Sequence, residues 1–187
     1  MPRITPLHKN EATADVQAAF DAHVADHAAS RITNMKATLG RSLLSFQIYM
    51  QWYPLYEEVK AIVGNRLAYL YAHAISEGSD CPVCTTFFRR IIIDNGERPE
   101  DVQLTENEQQ LVTFGSTIAQ RKGEIPDELY APIADRFTDQ QIVVLVAFAG
   151  QMIATNVFNN VLNVDVDEYL YPYLPLTQPE NPTNTHV

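Results

Sequence analysis

"NRLAYLYAHAISEGSDCPVCTTFFRRIIIDNG", residues 65–96, decides how this chain folds. Tyr69, His73 and Glu77 recur at i, i+4 and i+8, so one stripe of a helix runs through residues 65–79. The cysteines begin where that helix ends. After them "TTFFRRIIID" has helical character again, and Asn95-Gly96 supplies the left-handed residue that commonly closes a helix. The predicted unit is therefore a pair of helices joined at C-x-x-C, with Cys81 and Cys84 at the mouth of the second helix.

Working outward, the same periodicity covers most of the chain, and no run of alternating apolar and polar residues marks a strand. The fold class expected is all-α, a helical bundle. Residues 11–29 are rich in Ala, with Val16, Phe20 and Val24 at fourfold spacing, and predict an amphipathic helix. "SLLSFQIYMQWY" is apolar nearly all round and predicts a buried helix stopped by Pro54, which then opens "PLYEEVKAIV" up to Gly64. Capping boxes mark two later starts, Thr105 with Glu108 and Thr138 with Gln141. Pro126 suits a first helical residue, and Pro132 is expected to kink or shorten that helix. The helix from Thr138 is hydrophobic on nearly every side and is expected to be central; Gly150 and Gln151 interrupt its apolar run, and "NVFNNVLNVDVDEYL" follows as a short helix and exit. Residues 1–171 form one expected domain, and residues 172–187 a Pro-rich tail, extended or disordered unless a partner subunit holds it. Residues 63–91 laid over 137–165 show a faint apolar echo, which raises the expectation of two related helical halves.

At 187 residues, 46% hydrophobic and 19% charged, the chain is long and apolar enough for one sizeable core. A net charge of −10 opposes nucleic acid and anionic membrane as partners, because phosphate surfaces are bound by clustered Lys and Arg. The N-terminus lacks an apolar stretch of signal-peptide length, so a cytoplasmic location is expected. The run Ile142–Ile153 falls short of the roughly 18 to 20 apolar residues that span a bilayer and reads as a buried helix.

Three chemistries compete for Cys81 and Cys84. A closed zinc site needs four ligands, and His8, His23, His27, His73 and His186 are scattered, so no metal is expected. A structural disulfide would close a very short loop and gain little, and it suits a reducing compartment poorly. Redox cycling fits best: two thiols at a helix N-terminus face each other, and the terminus favours the thiolate. A helix end contributes up to about 2 kcal/mol, which brings a thiol of pKa ~8.5 only to about 7, so a further base or cation would help. Arg89 and Arg90 are rotated away from Cys84 on a helix and read as an ion-paired or solvated edge, whereas Phe88 at i+4 lies over it. Phe87 and Phe88 are core or interface residues, and with nearby tyrosines they suggest an apolar pocket for an organic substrate. "HVADH" (residues 23–27) has metal-compatible spacing but no third ligand or Glu base, and a solvated helix face is the preferred reading. Trp52, Tyr53 and Tyr56 favour an oligomer.

Taken together, the buried helix, the C-x-x-C opening the next helix, the capped second half and the closing "VFNNVLNV" resemble the carboxymuconolactone decarboxylase and AhpD-like (alkylhydroperoxidase D) superfamily over roughly residues 30–170. The resemblance implies an all-helical homo-oligomer and, in the AhpD branch, a thiol-dependent peroxidase: an antioxidant oxidoreductase with no cofactor that takes electrons from a protein or small-thiol donor. It assigns attack on a small hydroperoxide to Cys84 and resolution to Cys81. The family's relay histidine and glutamate positions hold Phe88 and Tyr69 here, which become candidate substrate-binding residues. His73 with Glu77 is a candidate replacement, as base and orienter for a thiol; the alternative is that His73 satisfies a buried hydrogen bond. Two further functional readings stand beside the peroxidase. One is a non-catalytic or ligand-binding scaffold whose C-x-x-C is a packing or redox-sensing pair, and the other is acid or lactone chemistry of the decarboxylase branch.

Overall fold

The computed structural model describes residues 1–26 and 31–175. Among the described residues there are nine α-helices and no strand: α1 Ala14–Asp26, α2 Asn34–Leu39, α3 Leu43–Met50, α4 Trp52–Val63, α5 Asn65–Gly78, α6 Pro82–Asp94, α7 Glu106–Gln120, α8 Asp127–Arg136 and α9 Asp139–Leu162. The all-α expectation holds. A short 3-10 helix, Glu168–Tyr173, closes the described chain and lies on α6.

The hub is α5, where every residue from Leu67 to Ser76 is buried. It is surrounded by α4, α6, α7 and α9. Contact with α7 is close because Gly115 leaves room: a Cβ there would lie 2.4 Å from the Tyr71 ring. Tyr71, fully buried, donates its hydroxyl to the Leu145 carbonyl of α9 at 3.1 Å, so its one polar atom is satisfied inside the core. A second, smaller core of Leu7, Val16, Phe20, Leu39 and Phe46 joins α1, α2 and α3.

Local signals set several boundaries as expected. Both capping boxes form. Gly64 and Gly96 take positive φ (83° and 86°) where α4 and α6 end. Elsewhere the structure departs from the expectations. Pro54 does not stop a helix; the chain breaks at Gln51, and Pro54 is the third residue of α4, where the first-turn N–H it lacks would have no partner anyway. In α3 only Phe46 is buried, while Leu44 and Ile48 are exposed, so this helix caps the small core with one face. Pro132 lies inside α8, which continues to Arg136. Helix α9 runs unbroken through Gly150 and Gln151 for 24 residues, because burial of its inner face, from Ile142 through Phe148 and Met152 to Asn159, outweighs the ~1 kcal/mol weakness of one glycine on its exposed face; the helix expected to be buried on nearly every side thus keeps one side open. The echo of residues 63–91 in 137–165 therefore has no matching break in its second copy. The run that fell short of a membrane span belongs to a helix long and apolar enough to cross one by length and composition. Here it packs on α4 and α5 and buries Thr155, Asn156 and Asn159.

In "HVADH", His23 is buried, edge-on to Tyr53 (4.9 Å between centroids) and Phe46 (5.8 Å), which corrects the solvated face; His27 lies outside the described residues. So do His186 and most of the Pro-rich tail, from residue 176 onward.

Candidate functional site

The dithiol forms where α5 hands over to α6. The turn is left-handed at Asp80 (φ 49°), and the Cys81 N–H donates back to the Ser76 carbonyl at 3.1 Å. Cys81 caps α6 with extended backbone, Pro82 follows at the first helical position, and Cys84 lies one turn in. Both cysteines are free and buried. Two consecutive asparagines of α9 hold this junction. Asn160 Nδ2 donates to the carbonyls of Ser79 (3.0 Å) and Asp80 (3.3 Å), and Asn159 Nδ2 donates to Cys84 Sγ at 3.3 Å, with Cys81 Sγ 3.8 Å away. Neighbours on a helix point about 100° apart, which lets one residue address the sulfurs and the next the turn.

The two sulfurs titrate as a pair. A hydrogen bond from the Cys84 thiol, helped by the N–H groups of Cys84 and Val83 and by Asn159, holds Cys81 down to about 7 against the opposing effect of burial. Cys84 moves up, because it gives that hydrogen bond and is itself buried beside the developing charge. One negative charge is thus shared by the pair, resting mainly on Cys81 at the helix N-terminus.

Cys84, Phe87 and Phe88 open onto a cavity of about 100 Å³, walled by Trp52, Tyr53 and Met152 among others. Trp52 stacks on Tyr56 and donates its indole N–H to Met152 Sδ at 2.9 Å. Phe88 is a wall of this cavity, as a substrate-binding residue would be. Tyr69 is not; its hydroxyl donates to Glu97 at 3.3 Å, within an ion-pair cluster around Arg66.

His73 and Glu77 do meet, with Nδ1 3.4 Å from a carboxylate oxygen. Their charged neighbours are Arg89 and Glu100, which pair at 2.7 Å, and not the thiols, which are governed by each other and by Asn159. His73 Nε2 is buried without a hydrogen-bond partner. Burial pushes this imidazole down to about 4, with Arg89 adding and Glu100 opposing. An unfolded histidine takes its proton near pH 6.5. Between pH 6.5 and 4 the unfolded chain therefore holds a proton that the folded chain refuses, and stability falls as the pH drops through that window. Urea titrations should show wild type losing about 2 kcal/mol more than His73→Asn between pH 7 and pH 5; equal losses would mean that His73 is protonated in the fold.

Sequence reasoning missed Asn159, Asn160 and the cavity residues Trp52 and Lys36 as parts of the site. A signal existed for the asparagines: Asn156, Asn159, Asn160 and Asn163 crowd the end of the most apolar helix. Among the described residues no group of three or more metal-ligating side chains comes together.

A buried dithiol at a helix mouth faces an aromatic cavity, and the helices that carry it form an all-α fold. Two solved structures share it. One is the apo debrominase Bmp8 (TM-score 0.72, 13% identity, 91% of this chain and 95% of that one), and the other is an uncharacterized peroxidase-related protein from Silicibacter sp. TM1040 (TM-score 0.64, 12% identity, 91% of each). At such identities the likeness is one of fold. No protein-family model matches the chain, and no curated protein matches it.

Proposed function

We propose that the chain is a thiol-dependent oxidoreductase in which Cys84 and Cys81 cycle between dithiol and disulfide to reduce a small organic hydroperoxide. The observation that carries this reading is a pair of free thiols at a helix mouth, with Asn159 Nδ2 3.3 Å from Cys84 Sγ, beside a cavity that Cys84 lines. In the resting pair the charge lies mainly on Cys81, which serves as the base that the family's missing histidine would otherwise supply. The Cys84 proton passes to Cys81 as Cys84 Sγ attacks the terminal peroxide oxygen; an S–O bond forms, the O–O bond breaks, and the alkoxide takes that proton from Cys81 and leaves as the alcohol. The Cys81 thiolate so restored attacks the Cys84 sulfenic acid, an S–S bond replaces the S–O bond, and the departing hydroxide takes a proton from solvent to become water. Two molecules of an external thiol restore the dithiol. Asn159 stabilises the thiolate by donating to sulfur.

The aromatic walls, and the fold shared with the debrominase Bmp8, favour a second electrophile class for the same thiols. With an aryl halide, sulfur takes the halogen, the aryl carbon takes a proton, and the second thiol displaces halide to give the same disulfide. Phe88 lines the approach to Cys84 in both cases, and Tyr69 holds Glu97 rather than substrate. His73 and Glu77 act at the Arg89–Glu100 cluster rather than as the base.

Adding one equivalent of cumene hydroperoxide to the reduced protein should consume two thiols per chain, yield one cumyl alcohol and link Cys81 to Cys84 in the peptide map. Both thiols persisting, with the hydroperoxide unchanged, would leave a ligand-binding scaffold.

The chain also assembles with itself through α9. Val143, Ala147, Gly150, Ala154, Val157 and Val161 form an exposed, uncharged stripe at alternating spacings of three and four. This is the spacing of a helix–helix seam. Sedimentation should give a dimer or larger for wild type at micromolar concentration and a monomer for Val157→Glu, whose side chain starts 52% exposed and so leaves the monomer fold intact. A monomeric wild type would overturn this assembly.

A further inference from the structure

Asn159 ends its side chain against the dithiol although it stands 75 residues from Cys84 in sequence. Its Nδ2 donates to Cys84 Sγ at 3.3 Å and lies 3.8 Å from Cys81 Sγ, so one amide serves both sulfurs. The residue is 1% exposed, and its Oδ1 is buried without a hydrogen-bond partner among the described residues. A buried polar atom left alone is destabilising and calls for an explanation. Here the side chain leaves its acceptor unmatched while keeping its donor on sulfur. The next residue, Asn160, holds the turn instead, through the Ser79 and Asp80 carbonyls, and so keeps α9 in register with the α5–α6 junction. The Asn159 donor matters differently in the two redox states. A thiolate is a charged acceptor, and hydrogen bonds to charged groups are about twice as strong as neutral ones. Once an S–S bond forms the charge is gone, and the same N–H faces a weak, neutral acceptor.

We propose that Asn159 sets the redox poise of the pair: its N–H stabilises the dithiol over the disulfide, which lets a monothiol donor re-reduce the oxidised chain. The proposal rests on the dithiol–disulfide cycle given above and names what drives its second half. In that half a donor thiolate attacks one sulfur of the Cys81–Cys84 bond, forming a mixed disulfide and releasing one protein thiolate. A second donor thiolate then displaces the remaining protein sulfur. Two electrons enter the protein, and the donor leaves as its own disulfide. A couple whose reduced form is stabilised is the stronger oxidant of its donor. The charge that the amide stabilises forms around pH 7, so the effect of the amide grows above that pH and fades below it.

The test is equilibration of the full chain in buffers of graded reduced and oxidised glutathione, with acid quenching and the Cys81–Cys84 disulfide scored by alkylation and mass. At pH 9 Asn159→Ala should move the midpoint about tenfold toward the disulfide, which is about 30 mV for a two-electron couple. At pH 5.5, where the sulfurs are neutral in both proteins, the shift should fall below about twofold. Asn159→Asp keeps the shape but puts an acceptor in place of the donor, and at pH 9 it should move the midpoint at least as far. If Asn159→Ala fails to fold by circular dichroism, Asn159→Leu, branched like Asn and without a donor, takes its place. Other titratable groups around the pair are Asp80 in the turn, Asp165 on the groove beside Val83, and Lys36, Asp167 and the tyrosines of the Cys84 cavity. They are the same in every variant and cancel from the comparison. An unchanged midpoint at pH 9, an equal shift at both pH values, an Asn159→Asp protein that matches wild type, or a wild-type disulfide that glutathione cannot reduce would each overturn the proposal. No hydroperoxide enters the measurement. Shifted midpoints in a protein that leaves hydroperoxide untouched would therefore sink the peroxidase reading alone, and hydroperoxide turnover with unshifted midpoints would sink only the role of Asn159.

Discussion

Cys84→Ser is expected to lose hydroperoxide turnover by on the order of 10^4-fold or more, the scale on which enzymes lose their nucleophile. Cys81→Ser should behave differently, because it keeps the sulfur that faces the cavity. A single oxidation should still occur, stop at the sulfenic acid and be trapped by dimedone at Cys84, since no second thiol remains to displace the oxygen. The pH profile separates the two functions of Cys81. In wild type the single-turnover rate should rise with pH around a midpoint of about 7, as the shared charge forms. In Cys81→Ser that neighbouring base is gone, so the profile should move to higher pH, as a buried thiol that must ionise alone requires. Trapping at Cys81 in Cys84→Ser, with no oxidation in Cys81→Ser, would reverse the two assignments.

Phe148→Ala should be the most damaging substitution in the core. Phe148 is fully buried and stacks on Tyr56 (5.4 Å) and Tyr71 (6.1 Å), with Trp52 at 5.9 Å. Removing the ring deletes its transfer energy and leaves a cavity among three aromatics that are themselves pinned, which costs about 3–5 kcal/mol. Against a total of about 5–15 kcal/mol that is a third or more of the stability. Guanidinium titrations followed by Trp52 fluorescence should show a lower midpoint with an unchanged slope. A loss below about 1 kcal/mol would mean that the aromatic cluster collapses to fill the space.

Much of the architecture was readable from short-range chemistry. The ends of α5 and α6 follow from residues whose preferences act within one turn, as do both capping boxes and the glycines at 64 and 96. The pairing of two thiols at a helix mouth needed only the C-x-x-C and the two flanking helices. Where a local signal competed with packing, packing prevailed. Gly150 and Gln151 look like a break, yet α9 is continuous because α4, α5, α6 and α7 hold it along its length. Leu44 and Ile48 look like core, yet no element of the described chain covers them.

The candidate site divides in the same way. Spacing correctly placed His73 beside Glu77, because i, i+4 neighbours meet on any helix. Spacing could not say which side of the α5–α6 pair they would face, and they turn toward Arg89 and Glu100. Residue order along the chain determined which helices form and that both sulfurs stand together at the start of one of them, since these are interactions within a few residues. Only the tertiary structure brought Asn159 to the thiols from 75 residues away and turned Lys36 into the cavity. The reason is physical: capping and turn chemistry act over one helical turn, whereas a sulfur's charge depends on which donors the packed helices carry to it.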